Sequence, residues 1–394
     1  MIRRHREVRG WSQARLAEVL CQASGRPTVT RQEVYRWEAG RRVPRFWLPF
    51  LAEVLDIPRA TLERATVASA TAPDPAATLA ELMPKADPLD QLSAATGRRV
   101  GAQAARDLAA RVHSLRLADD VLAGRDLIAP ARRELTAALR LYRDGTHTTD
   151  VGRSLLTAIG ELAQIVGWIE SDAGQHDQAE RTYRLGLSAA RQADDSTLAA
   201  NIAGSLAYQW ANTGREREAL PLALAALAEA GPDAHPTTRA LFHDRVAWAH
   251  TQTGDAQAAM RALGDAHDVL TAGHPDEAPE WAYWVSDAEL NVMDARVYTE
   301  LHRPLRAVPL LRDVLTRYDA AHTRELALYL SWLVIAYADA GEPEAAAETA
   351  ARMLALSADV ASDRTARRAR VVLRRLNDFA DVPEVRAVLA EYAA

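Results

Sequence analysis

The sequence has 394 residues, a formal net charge of −6, 48% hydrophobic residues and 25% charged residues, a composition that fits a globular chain of two or more domains and excludes a fibrous or disordered one. The one cysteine, Cys21, excludes an internal disulfide framework. The basic start is followed by no apolar stretch, and no window approaches 18 uninterrupted apolar residues, so neither a signal peptide nor a membrane span is expected and the chain reads as cytoplasmic.

Charge is divided unevenly. Residues 1–65 carry 13 arginines against 7 acidic residues, which leaves −12 on the remainder. A basic head on an acidic body suits nucleic acid at one end only, because phosphate contacts need local positive potential rather than a positive whole.

Within the head, Ser12 is placed as the N-cap of a short amphipathic helix whose Leu16, Val19 and Leu20 share one face. After a polar turn, Thr30 and Glu33 form a capping-box pattern and Val34 and Trp37 supply a buried stripe. Gly40 ends this second helix and Pro44 prevents its continuation. Phe46 to Leu55 then reads as a packing helix, with Trp11, Trp37 and Cys21 in the core.

The motifs Trp-Ser-Gln-x-x-Leu-Ala at 11–17 and Thr-Arg-Gln-x-Val-x-Arg-Trp-Glu-x-Gly at 30–40 resemble the helix-turn-helix of Xre-type, phage-repressor-like regulators over roughly residues 2–62. The turn from Cys21 to Val29 is longer than usual for that family. The resemblance implies double-stranded DNA as a partner, with Arg31, Gln32 and Arg36 reaching base edges. Arginine bridges both guanine acceptors and glutamine pairs both ways with adenine, so the residue types suit direct readout. It further implies that Gln13, Thr30, Tyr35, Arg41, Arg42 and Arg45 face phosphate, and that Arg6 and Glu38 form an ion pair joining the first helix to the end of the recognition helix.

From Thr66 to Arg98 the pattern loosens around Pro-Asp-Pro and Ala-Asp-Pro and reads as a linker, broken by one short apolar run. Beyond Val100 helical periodicity is nearly unbroken. Short breaks recur at Gly124, Gly174, Gly214, Gly254, His302 and Gly341, a period close to 40, each followed five residues later by an alanine: Ala129, Ala179, Ala219, Ala259, Ala307 and Ala346. A small residue there lets the two helices of a hairpin approach closely.

The pattern resembles tetratricopeptide repeats over roughly 105–360, with longer units. The fold expected is therefore all-α: a helix-turn-helix domain at 1–65, a linker at 66–98, a right-handed superhelix of helical hairpins at 99–362, and capping helices at 363–394, in which the arginines of Thr365 to Phe379 read as a solvated face. Such an array presents an extended concave groove. Its inward offsets hold Gln164, Trp168, Asn201, Tyr208, Asp244, Trp248, Trp284 and Arg296, a mixture of aromatic and polar groups suited to a peptide or small-molecule effector.

Phosphate-loop, zinc-helix and nucleophile-elbow motifs are all missing, so neither catalysis, a cofactor nor a metal is expected. An Xre-type head on a tetratricopeptide-like body resembles the peptide-sensing regulators of Gram-positive bacteria. That implies a sequence-specific transcription regulator acting as a homodimer, since one recognition helix makes few base contacts and two half-sites add their energies. An interaction scaffold localised on DNA is the alternative. A small-molecule receptor or enzyme is a third reading, and it would show as a compact pocket rather than an open channel.

Overall fold

The structure, a computed structural model, describes residues 2–26, 28–38, 44, 46–58, 62, 74–83, 89, 97–122, 124–271, 277–317, 323–358 and 362–392. The fold is all-α, and the chain divides into two compact units, residues 1–73 and 74–394.

The first unit contains α1 (Ile2–Val8), α2 (Gln13–Ser24), α3 (Arg31–Glu38) and α4 (Leu48–Leu55). Ser12 caps α2 by accepting the Arg15 amide at 3.1 Å, and Gly25 ends the helix at φ +66°, a conformation that costs glycine little. Thr30 caps α3 in the same way, accepting the Glu33 amide at 3.3 Å. Leu16 and Leu20 from α2, Val34 and Trp37 from α3, and Leu51 and Leu55 from α4 close one core. Helix α4 starts at Leu48, two residues later than Phe46. Pro49 falls in its first turn, where a missing amide hydrogen is harmless, and Phe46 stays exposed against the rings of Trp47 and Phe50. Trp11 and Cys21 are half-buried at the margin of this core rather than inside it. Gly40 lies outside the described residues.

The second unit opens with a correction to the expected linker. Residues 75–80 form α5 (Pro75–Ala80), capped by Asp74, and bury Leu79 and Leu82 in the main apolar cluster of the repeat body. Arg184 donates to the Glu81 and Leu82 carbonyls and fixes the end of the segment. The short apolar run between the prolines is thus a docking helix of the body. Pro75, in its first turn, acts as a start signal rather than as a break.

Two helices follow, α6 (Ala102–Val121) and α7 (Gly124–Asp144), and then five hairpins. They pair α8 (Thr149–Asp172) with α9 (His176–Gln192), α10 (Ser196–Ala211) with α11 (Glu216–Ala230), α12 (Pro236–Gln252) with α13 (Ala256–Thr271), α14 (Asp287–Glu300) with α15 (Pro304–Arg317), and α16 (Thr323–Ala340) with α17 (Pro343–Ala358). Helices α18 (Asp363–Leu376) and α19 (Pro383–Tyr392) pack on the last hairpin. Before the hairpins, Arg98–Arg99 pairs in parallel with Gly145–Thr146, a two-residue bridge that helical periodicity could not announce.

The hairpin turns coincide with the periodic breaks. Gly174, Gly214, Gly254, His302 and Gly341 all have positive φ, and Ala179, Ala219, Ala259, Ala307 and Ala346 are fully buried or nearly so at the crossings. The first expected unit departs from the series. Gly124 begins a helix instead of ending one, Ala129 is exposed, and Ala131 takes the buried position. Helix α7 packs chiefly on α8, across the turn at 145–148, so the break belongs to a different connection.

The first hairpin needs still smaller residues. A Cβ at Gly167 would lie 2.7 Å from the ring of Tyr183, which is itself fully buried, whereas a Cβ at Gly264 on α13 would meet nothing within 4 Å. Replacing glycine by alanine inside a helix gains about 1 kcal/mol in propensity, and overpacking a core costs about 1–3 kcal/mol. The two sites therefore respond with opposite sign: in thermal unfolding Gly264→Ala raises the midpoint and Gly167→Ala lowers it.

Candidate functional site

On the first unit, α3 turns Val34 and Trp37 inward, which leaves Arg31, Gln32, Tyr35 and Arg36 exposed on the opposite side. Arg36 rests on Glu33 at 2.9 Å, an exposed pair one turn apart. Such pairs contribute about 0.3–0.5 kcal/mol, less than the roughly 1–3 kcal/mol of a bidentate contact to a base, so Glu33 orients Arg36 without sequestering it. Thr30 is exposed and engaged as the cap. Gln13, expected at phosphate, donates instead to Glu38 at 2.8 Å. Arg41, Arg42 and Arg45 lie outside the described residues.

Glu38 locks the end of α3 to α1. Its carboxylate, with no exposed side-chain surface, receives Arg6 Nε at 2.6 Å and Arg6 Nη2 at 3.1 Å, while Arg6 Nη1 reaches the Trp11 carbonyl. Burial pushes the Glu38 carboxyl up, but the bonds from Arg6 and Gln13 outweigh it and hold the group below its ordinary value. A depressed carboxylate contributes stability above its unfolded value and loses it as pH falls through the folded one.

In the second unit the first helices of the hairpins surround a cavity of about 730 Å³. Of the expected groove residues, Gln164, Trp168, Asn201, Tyr208, Trp248, Trp284 and Arg296 all line it. Asp244 does not: it is buried behind the wall, with its carboxylate 3.8 Å from Arg245. Gln164 accepts from Arg116 at 2.7 Å and donates to Ser205 at 3.1 Å, which ties α6, α8 and α10 together.

The two ends of the array meet across the expected groove. Arg324 at the start of α16 donates to the Asp119 carboxylate at 3.2 and 3.3 Å and to its carbonyl at 2.6 Å, with Asp172 at 3.8 Å. Ser362 donates to Asp172 at 3.1 Å, Arg367 meets His176, and Tyr283 donates to Asp120. Asp119, Glu325 and Asp172 keep Arg324 charged although burial opposes it. Burial pushes Asp119 up to about 6 against the pull of Arg324, as expected where several carboxylates share one guanidinium.

An aromatic column runs along the wall. Trp168 stacks on Tyr208 at 5.8 Å, Tyr208 faces Trp248 at 6.3 Å, and Trp248 meets Trp332 edge-on at 5.7 Å. Sequence reasoning missed Trp332 on α16 and every arginine of this wall but Arg296, among them Arg245, Arg324, Arg364 and Arg368. The last corrects the reading of the arginines of 365–379 as a solvated face. Arg368 lies 3.6 Å over the Trp332 ring and Arg364 lies 5.3 Å over Trp168. Arg245 could have been suspected from its own stretch, Ala240 to Trp248, where a charge interrupts apolar residues in mid-helix.

No family model and no curated protein matches the sequence. Among solved structures, the chain is similar to BtubC (BKLC) from P. vanneervenii, with 18% identity and a TM-score of 0.42 over 60% of this chain and 91% of that chain. No helix among the described residues is long and apolar enough to cross a membrane, and no cluster of side chains among them is suited to a metal ion.

Removing one partner of a buried pair costs about 3–5 kcal/mol because the other charge is stranded. Arg324→Met is therefore expected to lower the stability of the body by that amount and to raise the radius of gyration in small-angle scattering. An unchanged midpoint would mean that the clasp contributes nothing. In the head, Glu38→Gln strands Arg6, and the difference from wild type should shrink between about pH 5 and pH 3 as the native carboxylate is protonated. Chemical unfolding across that range checks the sign.

Proposed function

We propose that the chain is a sequence-specific DNA-binding transcription regulator of the cytoplasm, acting as a homodimer, whose repeat body binds a peptide or small-molecule signal. The observation that carries this reading is the exposed Arg31, Gln32, Tyr35 and Arg36 face of a capped helix whose opposite face is fixed in a core. A helix held rigidly, with bidentate donors outward, matches the geometry of major-groove readout.

The cavity supports the signal-binding half. A bounded cavity of this size fits a small molecule or a few peptide residues better than a long partner helix, which favours an effector over the scaffold alternative. A signal changes DNA binding only through different affinity for two arrangements of the protein, and about 1.4 kcal/mol of difference shifts the equilibrium tenfold.

Genome-wide binding of the intact protein, followed by a salt titration on the best site, tests the DNA half. A palindromic site is expected. Arg31→Ala and Arg36→Ala should each cost about 1–3 kcal/mol on that site and little on unrelated DNA. No enriched site, or equal loss on all sequences, would overturn the reading.

A further inference from the structure

Three guanidinium groups converge on the aromatic column with few of their donors used. Arg245 is buried, makes no hydrogen bond among the described residues, and stacks 4.3 Å from Tyr208, its one nearby carboxylate being Asp244 at 3.8 Å. Among the described residues Arg296 donates only to the Tyr208 hydroxyl, lies 4.6 Å over Trp248, and keeps a buried Nε without a partner. Arg368 donates to Ser331 at 3.0 Å, has Glu300 no nearer than 3.9 Å, and keeps a buried Nη2 without a partner among the described residues. The indole nitrogen of Trp248 is buried and equally unpartnered among the described residues.

Donors left unmade in a cavity wall are costly, and like charges gathered at low dielectric repel. The field they make is visible on their neighbour. Burial pushes the Tyr208 phenol up, yet Arg296, Arg364 and Arg245 outweigh it and hold the group below its ordinary value. Burial, together with Arg296, likewise brings Arg368 down to about 10, against the opposing pull of Glu300 and Tyr208. Of the acidic residues of the same cavity, Asp119 is bonded to Arg324 and Asp172 lies 3.8 Å from it, while Glu289, which accepts Tyr329 at 2.8 Å, and Asp244 offset part of the charge of this corner without bonding to its guanidiniums.

We propose that the cavity takes a small organic anion with a flat, unsaturated body, its acid group seated among Arg245, Arg296 and Arg368 and its body against Trp248 and Trp332. An acid oxygen there accepts the donors that the protein leaves unmade, and charge-assisted bonds of this kind are the strong ones. The column supplies faces for a ring. The proposal rests on the cavity being the signal site of the preceding reading, and it specifies the chemistry of the signal.

Tryptophan fluorescence of the full chain, titrated with 2-naphthoate, the neutral 2-naphthamide and the cationic 2-naphthylmethylamine, reads this without DNA. A failure here is therefore distinct from a failure to bind an operator. The naphthoate is expected to bind at least about tenfold more tightly than the amide, and the amine not at all. Arg296→Met and Arg368→Met, which keep an apolar stem against the rings, should each remove the preference for acid over amide while the thermal midpoint stays near that of wild type. Equal binding of acid and amide, no binding of the acid by the folded protein, or an unchanged preference in both variants would overturn the proposal. If either variant unfolds, Arg245→Lys, which keeps the charge and removes the planar fork, gives the second reading: a reduced preference supports the site and an unchanged one counts against it.

Discussion

Arg324 sits among Asp119, Asp172 and Glu325, and its bonds to Asp119 join helices about half the chain apart. In a row of helical hairpins each unit touches its neighbours, so the concave side is normally open along its length. Here the contact between the first long helix and the last hairpin bridges that side and bounds a cavity. Burial of the side chains around it then sets the electrostatics: charges taken out of water sit at lower dielectric, where each orphaned donor and each unmatched charge weighs more.

The wall divides into two regions of opposite character. Around the clasp, acids outnumber the guanidinium they share, and burial lifts Asp119. Around Tyr208 and Trp248, guanidiniums outnumber acids. Packing alone does not require either imbalance, since apolar residues of similar volume stabilise a core at least as well as buried ions do. Local violations of the rule that buried polar groups are satisfied concentrate where a protein binds something.

Much of this was legible in the sequence, for reasons that differ by residue. The turns at Gly174, Gly214, Gly254, His302 and Gly341 repeat because each hairpin solves the same steric problem, and a repeated solution leaves a period. The head was legible through its caps, Ser12 and Thr30, and through the complementary pair Arg6 and Glu38. Ala129 was misplaced by extending the period one unit too far. Residues 75–80 were misread because prolines that start a helix look, in isolation, like prolines that end one. The cluster of Arg245, Arg296 and Arg368 was illegible as a cluster: it lies on three helices of different hairpins and caps, and only the curvature of the array brings them to one point. Arg296 was found by its offset alone, and Asp244 was chosen where its neighbour Arg245 faces the cavity.

Open solenoids tolerate the gain or loss of whole repeats, because a duplicated unit finds the same neighbours as its parent. The contact from Asp119 to Arg324 removes that freedom. One hairpin more or fewer would carry Arg324 past its partners and leave both acids stranded, so the number of units between the two ends is counted by a chemical bond. Variation in this body is then confined to the walls of a vessel of fixed circumference, where single side chains can change what it holds without changing how it closes.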